Sequence, residues 1–373
     1  MKFSVSKKEL LNALNLSVRA ISANTPLPAL SGIKFVVGLD ELTLISSDSN
    51  ISIKTVINAN DDTNTLSISE DGDVIIDAKN LLDMVRRIDN DKIYFETIDG
   101  TLIKIYGDKS EYKINGMRAF EYPDINFESN VESFELNTKL LGDIISETAF
   151  ACSDKETTKP VLTGVNLRAN GNILYINATD SYRLASKTVD LNEELYFNIT
   201  IPVKYLNEVY HSLNEEEKVN VYIDNQKILF KFKDSLIQTR LLDDAFPETS
   251  RLIPNDFSQV LTVDSNKLLK AISNSSFIKS DGKNVIKLTI DNEKVDIDSL
   301  NQAVSYHDEV EVINYTGNPI EISCSGKYLE DALKAFNTNE IKLCFSGELK
   351  PIIIKDDNNK DLIQLVSPVR NYN

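Results

Sequence analysis

Lys79-Asn-Leu-Leu-Asp-Met-Val-Arg-Arg-Ile88 reads as an amphipathic helix, and the chain carries the same pattern three times. Lys204-Tyr-Leu-Asn-Glu-Val-Tyr-His-Ser-Leu213 and Lys327-Tyr-Leu-Glu-Asp-Ala-Leu-Lys-Ala-Phe336 align with it without a gap. At about 100° per residue, all three have their apolar arcs in the same phase. The arcs hold Leu81, Val85 and Ile88, then Leu206, Tyr210 and Leu213, then Leu329, Leu333 and Phe336. Each opposite face begins with a lysine (Lys79, Lys204, Lys327) and has a carboxylate one turn on (Asp83, Glu208, Asp331). Arg86, His211 and Lys334 follow one turn later.

A second unit recurs with the same register. Phe3 and Val5 precede Ser6, with Leu10 and Leu14 beyond; Phe134 and Leu136 precede Asn137, with Leu141 and Ile145 beyond. Leu261 and Val263 precede Asp264, with Leu268 and Ile272 beyond. Ser, Asn and Asp accept hydrogen bonds from the free amides of a helix's first turn, so each copy predicts strand, cap and helix. The remaining segments, such as Lys92-Ile-Tyr-Phe-Glu96, alternate apolar and polar residues and predict antiparallel strands with one solvated face. Asp99-Gly100, Asn170-Gly171 and Ser346-Gly347 are expected to separate such runs as turns. Two motifs repeated three times in register point to an α+β chain of three like domains. Their expected bounds are 1–128, 129–255 and 256–373.

Composition narrows the function. The 373 residues carry 57 acidic and 40 basic side chains, a net charge of −17. Taken as a sum, that argues against nucleic acid and anionic membranes, but binding depends on local charge. Three cysteines (Cys152, Cys324, Cys344) are too few and too scattered for a disulfide framework. The start MKFSVSKKEL has no apolar leader core, and no apolar run approaches membrane-spanning length, so a cytoplasmic protein is expected. No phosphate loop, dinucleotide fingerprint, nucleophile elbow or CxxC pair is present, and two histidines cannot build a His-rich metal site. His307 is expected in a polar loop and His211 on a solvated helix face. Neither a catalytic site, a cofactor nor a metal is expected.

Four further stretches carry a family resemblance. They are Thr158-Lys-Pro-Val-Leu-Thr-Gly-Val165, Ala178-Thr-Asp-Ser-Tyr-Arg-Leu-Ala185, Leu241-Leu-Asp-Asp-Ala-Phe-Pro247 with Ile253-Pro254, and Gln364-Leu-Val-Ser-Pro-Val-Arg370. With the weaker Pro28-Ala-Leu-Ser-Gly32, the chain resembles the bacterial DNA polymerase III beta subunits, the sliding clamps, over its full length. The resemblance implies three clamp domains, each with two helices packed on antiparallel sheets, closing into a ring as a head-to-tail homodimer. It implies that duplex DNA passes through without base readout. The implied partners are the polymerase III catalytic subunit, a separate clamp loader, and replication and repair proteins carrying a clamp-binding peptide. The alternative reading is a non-catalytic β-rich repeat protein that binds surfaces or carbohydrate.

Charge placement agrees with the resemblance. The six expected helices hold 12 Lys and Arg against 8 Asp and Glu, a balance of +4, which leaves −21 on the rest of the chain. Candidate phosphate contacts are Lys7, Lys8, Arg19, Lys79, Arg86, Arg87, Lys204, Lys267, Lys270, Lys327 and Lys334. Many family members have a basic residue where this chain has Asn24, so no contact is expected there. The resemblance also implies a partner-peptide pocket between the second and third repeats. Its wall would include Leu162, Thr179, Ser181, Tyr182, Arg183, Leu184, Pro247, Arg251, Leu252, Tyr328, Leu349, Pro351, Leu365, Ser367 and Val369. Ser181 and Tyr182 replace the Gly-His pair common in the family, which implies an altered peptide preference. Two or three buried Leu or Phe anchors, at about 1.5–3 kcal/mol each and less the ordering cost, imply roughly micromolar, exchangeable binding.

Overall fold

The computed structural model describes residues 1–22, 25–59, 66–154, 159–213, 218–254 and 256–369, so Asn24 and Thr158 lie outside the described residues. The first repeat contains β1 (Lys2–Ser6), α1 (Lys7–Ser17), β2 (Gly32–Val37), β3 (Glu41–Ser47), β4 (Ile51–Asn58) and β5 (Ser67–Glu70). It continues with β6 (Gly72–Asp77), α2 (Ala78–Arg87), β7 (Lys92–Asp99), β8 (Leu102–Tyr106) and β9 (Glu111–Asn115). The second has β10 (Phe134–Asn137), α3 (Thr138–Thr148), β11 (Gly164–Thr179), β12 (Arg183–Pro202) and α4 (Val203–Leu213). Strands β13 (Lys218–Ile223), β14 (Lys227–Phe232) and β15 (Ser235–Arg240) complete it. The third has β16 (Gln259–Asp264), α5 (Ser265–Asn274), β17 (Val285–Ile290), β18 (Lys294–Leu300), β19 (Ser305–Thr316) and β20 (Ile320–Ser325). It ends with α6 (Gly326–Lys334), β21 (Glu340–Phe345), β22 (Ile352–Lys355) and β23 (Leu362–Val366).

Of the three caps expected from the sequence, Asn137 and Asp264 accept amides of their helices and Ser6 does not. Asp77, Asp264 and Ser325 accept from the amides of Asn80, Lys267 and Tyr328, and Asn137 accepts from Lys139. Ser6 makes no such bond; the Lys7 amide donates instead to the carbonyl of Asp91 at 2.8 Å. Asn170-Gly171 is also not a turn. Gly171, at φ +64°, sits inside the long strand β11 opposite a bulge, where β11 leaves one residue unpaired and the neighbouring β12 leaves four.

By contact the chain divides into Met1–Lys139 with Tyr205–Leu241, and Leu140–Lys204 with Leu242–Asn373. The first unit holds a five-stranded sheet, β5-β1-β7-β8-β9, and an eight-stranded one, β10-β13-β14-β15-β4-β3-β2-β6, both antiparallel. Leu10 and Leu14 of α1 and Leu81 and Val85 of α2 are fully buried against strand residues such as Val5, Phe35 and Ile105. Phe3 and Phe95 stack at the centre of this core, with centroids 4.7 Å apart. The second unit holds a ten-stranded antiparallel sheet, β11-β12-β23-β22-β21-β16-β19-β18-β17-β20. Here Leu268 and Ile272 of α5 and Leu329 and Leu333 of α6 fill the core.

Backbone ladders join the repeats. In the first unit β15 of the second repeat pairs with β4 of the first, from Ser235↔Thr55 to Thr239↔Ile51. In the second unit β23 of the third repeat pairs with the start of β12 of the second, from Arg183↔Val366 to Lys187↔Leu362. Two strand edges in equivalent positions carry no partner among the described residues. One is the outer edge of β9, the counterpart of β15 and β23. The other is Ser305–Glu311 of β19, which pairs only with β18.

Candidate nucleic-acid and peptide interfaces

The basic residues sit on helix faces opposite the buried arcs, but several are already engaged. Lys7 donates to the carbonyls of Arg86 (3.2 Å) and Ile88 (2.5 Å), so it closes the end of α2 rather than pointing outward unspent. Arg86 donates to Asn15 at 2.9 Å, and Arg19 pairs with Glu208 at 3.1 Å. Lys327 pairs with Asp331 at 3.1 Å and Lys334 with Glu330 at 2.6 Å, both one turn along α6. Lys267 lies 3.7 Å from Glu311. Lys8, Lys79, Arg87, Lys204 and Lys270 are exposed on their helices. In the first unit α1 packs on α2, and in the second α5 packs on α6, so each pair presents its lysines and arginines together.

The expected peptide-pocket residues all fall in the second unit, and Thr179 to Leu184 form the turn between β11 and β12 with its flanks. Thr179 Oγ1 donates to the Arg183 carbonyl (2.5 Å) and accepts the Ser181 amide (3.1 Å). Asp180 Oδ1 accepts the amides of Tyr182 and Arg183 at 2.9 and 3.0 Å. These bonds hold Ser181 at φ +78°, a backbone shape that costs a side-chain-bearing residue on the order of 1–3 kcal/mol and that glycine adopts freely. The Ser367 amide donates to the Tyr182 carbonyl (2.9 Å), and Leu184 pairs with Leu365 across the ladder. The pairing of Ile352 with Val366 brings Pro351 alongside Ser367. Thr249 donates to Asn177 (3.2 Å), tying the segment that carries Arg251 and Leu252 to β11.

Burial separates the expected wall into two classes. Leu162, Thr179, Arg183, Leu184 and Leu365 are buried, with Leu184 and Leu365 in one small core beside Cys344 and Ile353. Tyr182, Leu252, Leu349 and Val369 are exposed apolar side chains, and Pro247 and Arg251 are exposed as well. Tyr328 is half-buried; burial, with the nearby Asp180 carboxylate, raises its phenol pKa.

Three supporting residues lie outside the expected wall: Asp180, Phe150 and Asp331, the last being the carboxylate that the repeated helix pattern places one turn after Lys327. The Arg183 guanidinium, 7% exposed, binds Asp180 Oδ2 at 3.0 Å and Asp331 Oδ2 at 2.7 Å. Its carbon lies 4.4 Å from the centre of the Tyr328 ring and 5.6 Å from that of Phe150. The Thr-Asp-x-x-Arg spacing in 179–183 is the available clue, since an aspartate before a turn accepts amides two and three residues on. Close by, Lys187 and Glu147 form a buried pair at 2.5 Å, and Gln364 donates to the Glu147 carbonyl.

Chemically reactive groups are muted. Burial pushes the thiol pKa values of Cys152 and Cys324 up to about 12, which keeps both protonated. His307 lies on β19 rather than in a loop. Its Nδ1 is 2.8 Å from Asp298, which raises its pKa above the ordinary imidazole value. Asp296, His307 and Glu309 place ligand atoms within 4.8 Å of one another. The Lys294 ammonium already bridges Asp296 and Glu309, at 2.9 and 3.0 Å, and supplies their cation.

Models of the DNA polymerase III beta subunit match the chain in three consecutive pieces: the N-terminal domain at 1–126, the central domain at 135–248 and the C-terminal domain at 250–370. The chain belongs to the beta sliding clamp family. The beta sliding clamp of Bacillus subtilis is 34% identical over 379 residues, covering all of both chains. The crystal structure of a DNA polymerase sliding clamp from that organism superposes with a TM-score of 0.95 at 33% identity, again over the whole of both chains. That of a DNA polymerase III beta chain from Streptococcus pneumoniae gives 0.95 at 31% identity, over 99% of this chain and all of that one. The clamp is therefore a polymerase processivity factor built from three α+β domains, and it is the non-catalytic subunit of its polymerase. Among the described residues no helix is long and apolar enough to cross a membrane.

Proposed function

We propose that this clamp acts as a head-to-tail homodimer in the cytoplasm, encircling double-stranded DNA and sliding without sequence preference. The observation that carries this reading is the pair of unmatched edges. Each repeat junction within the chain is a ladder between equivalent strands, β15 on β4 and β23 on β12. The third such junction lacks its partner within one chain: β9 has no acceptor and β19 has no donor strand. A second copy supplies both, and two such seams give every junction strand, β9, β15 and β23 on one side and β19, β4 and β12 on the other, its partner. Bare, polar edges of this kind invite pairing with another chain. The three domains are taken to run 1–128, 129–255 and 256–373.

The basic helix faces would meet phosphates through screened contacts that carry no sequence information. The turn at 179–184, with Tyr328 and 365–369, would bind short apolar peptides of the polymerase III catalytic subunit, the clamp loader and other replication and repair proteins. Sedimentation tests the first part: a mass of twice 41.9 kDa at micromolar concentration is expected, and a monomer at that concentration would refute it. Primer extension on a circular template with clamp loader tests the second. Val369→Glu alters an exposed side chain and should abolish stimulation with the dimer intact. Leu365 is a poorer probe, since a charge there enters the core beside Leu184.

A further inference from the structure

Resting on the closed-ring reading, we infer that each seam sets the His307 imidazole of one copy against the Glu111 carboxylate of the other, so that protonation tightens the ring. The register follows from the repeats. On the receiving side, Asp48, Asp180 and Asn301 each accept the amides two and three residues on, which makes Ile51, Arg183 and Val304 equivalent. On the donating side, the amides of Met117, Leu242 and Val369 bond to the carbonyls of Ile75, Thr200 and Ser323. Each of those carbonyls lies four residues before the lysine that opens the repeated helix pattern (Lys79, Lys204, Lys327). Ile114, Thr239 and Val366, three residues before the donors, are therefore equivalent as well. Thr239 pairs with Ile51, and Val366 with Arg183. The same step sets Ile114 against Val304 of a second copy. Counting back along antiparallel strands, Lys113 meets Ser305, Tyr112 meets Tyr306 and Glu111 meets His307.

The side chains fit that register. Tyr112 and Tyr306 each pack half-buried against their own core, so this pair covers the inner face. Glu111 and His307 are exposed and share the solvent face, where opposed side chains have Cβ atoms about 4.5–5.5 Å apart. The hydrogen bond from Lys104, at 2.7 Å, holds the Glu111 carboxyl below the usual range, so it is charged near neutral pH. Within its own copy His307 faces Asp298 at 2.8 Å and Asp296 at 3.8 Å on β18, with Ser305 and Glu309 beside it on β19. Lys294 is spent on Asp296 and Glu309. Asp308 lies on the opposite face with Tyr306. Farther out, Lys287 of β17 pairs with Glu321 of β20, and Lys267 of α5 lies near Glu311. The second copy also brings Lys104 and Lys113, each already paired with Glu111. The imidazole thus has three carboxylates near it against Lys294 alone, and Glu111 adds a fourth directly opposite. A carboxylate arriving there favours the imidazolium, so the ring binds the proton more tightly than the free protomer does. The gain is whole below the protomer's pKa and fades as pH rises through the ring's.

The test is sedimentation of the intact, fluorophore-labelled protein from nanomolar to micromolar concentration, at about pH 6 and about pH 8.5. Exposed ion pairs are individually weak and the ring has two, so the dimer dissociation constant should rise by about 2- to 30-fold between the two conditions. His307→Gln and Glu111→Gln should each remove that rise, and the double variant should behave as either single variant does. His307→Lys keeps a cation in place and should hold the ring equally tight at both pH values. His211→Gln, on α4, removes the chain's other histidine and should leave the rise as it is. Circular dichroism shows that each variant stays folded. A dimer with the same dissociation constant at both pH values, or one whose rise survives either His307→Gln or Glu111→Gln, overturns the inference and leaves the ring standing. A parent protein that stays monomeric at micromolar concentration refutes the ring, and the inference with it.

Discussion

A proline at Lys113 distinguishes an edge strand from a seam. The Gly116 amide bonds to Thr101 and the Gly107 amide to the Ser110 carbonyl, so the backbone groups of Tyr112 and Ile114 face β8. Those of Glu111, Lys113 and Asn115 therefore face outward. The same parity on β19, set by the Asn301 amide bonding to Val304 and the Val312 amide to Glu293, turns Ser305, His307 and Glu309 outward. Proline is tolerated where the lost N–H faces solvent and disruptive where it faces a neighbouring strand. If β9 were a true edge, Lys113→Pro would be nearly silent. If it closes the ring, the substitution removes a ladder bond worth about 0.5–1.5 kcal/mol and sets a ring carbon against the opposing strand. A ring closed in this way has two such seams, so the loss is roughly 1–3 kcal/mol, or about 5- to 150-fold in the dimer dissociation constant. Sedimentation equilibrium across a dilution series measures that shift, with circular dichroism to show that the protomer stays folded. A folded Lys113→Pro protein with parental dimer affinity would refute the edge argument.

Three further outcomes follow from local geometry. Lys187→Met leaves the Glu147 carboxylate buried without its cation and should cost about 3–5 kcal/mol, read from urea unfolding; a loss below about 1 kcal/mol would mean that water reaches the pair. Ser181→Gly relieves a positive-φ backbone and, against the greater unfolded-chain freedom of glycine, should raise stability by up to about 1 kcal/mol, measured as a shift in the denaturation midpoint. The His307 imidazole should titrate above 6.5 by NMR, and Asp298→Asn should bring it back towards that value. Because the folded pKa is raised, this pair's contribution is complete below the ordinary imidazole pKa and fades as pH rises through the raised one.

Most of the domain plan can be read from the sequence because helix phase and strand alternation are local. The apolar arc of Leu81, Val85 and Ile88 becomes buried core, as do its counterparts Leu206 and Leu213, and Leu329, Leu333 and Phe336. Tyr210 is the exception, 39% exposed at the edge of its arc. Asn170-Gly171 misleads because a glycine at positive φ serves a bulge as readily as a turn, and only the pairing of β11 with β12 decides between them. The candidate peptide site is legible only in part. Tyr182 and Arg183 are adjacent in sequence, yet one is exposed and the other buried. That difference arises from Asp331, 148 residues beyond Arg183, a partner that no local pattern reveals.

The basic helices also hold their charge less freely than composition implies, and this can be measured. At least six of the eleven candidate cations already have partners in the protein, among them Lys7, Arg19, Arg86, Lys267, Lys327 and Lys334. A cation paired with a carboxylate must give up that partner to meet a phosphate, so it contributes less than a full released counterion. Affinity for a short linear duplex should therefore fall with salt much less steeply than eleven contacts per protomer would give, at about 0.9 per phosphate neutralised. Glu208→Gln and Glu330→Gln remove the partners of Arg19 and Lys334 and leave the cations in place. Each should steepen the slope of log affinity against log salt by about 0.9 for every cation that reaches a phosphate, and tighten binding at low salt. If both slopes stay at the parental value while the dimer forms normally, Arg19 and Lys334 do not face the DNA, and the basic surface must be assigned to the remaining helix residues. A steeper slope would mean that the carboxylates keep the grip loose, as sliding requires, while closure of the ring retains the DNA.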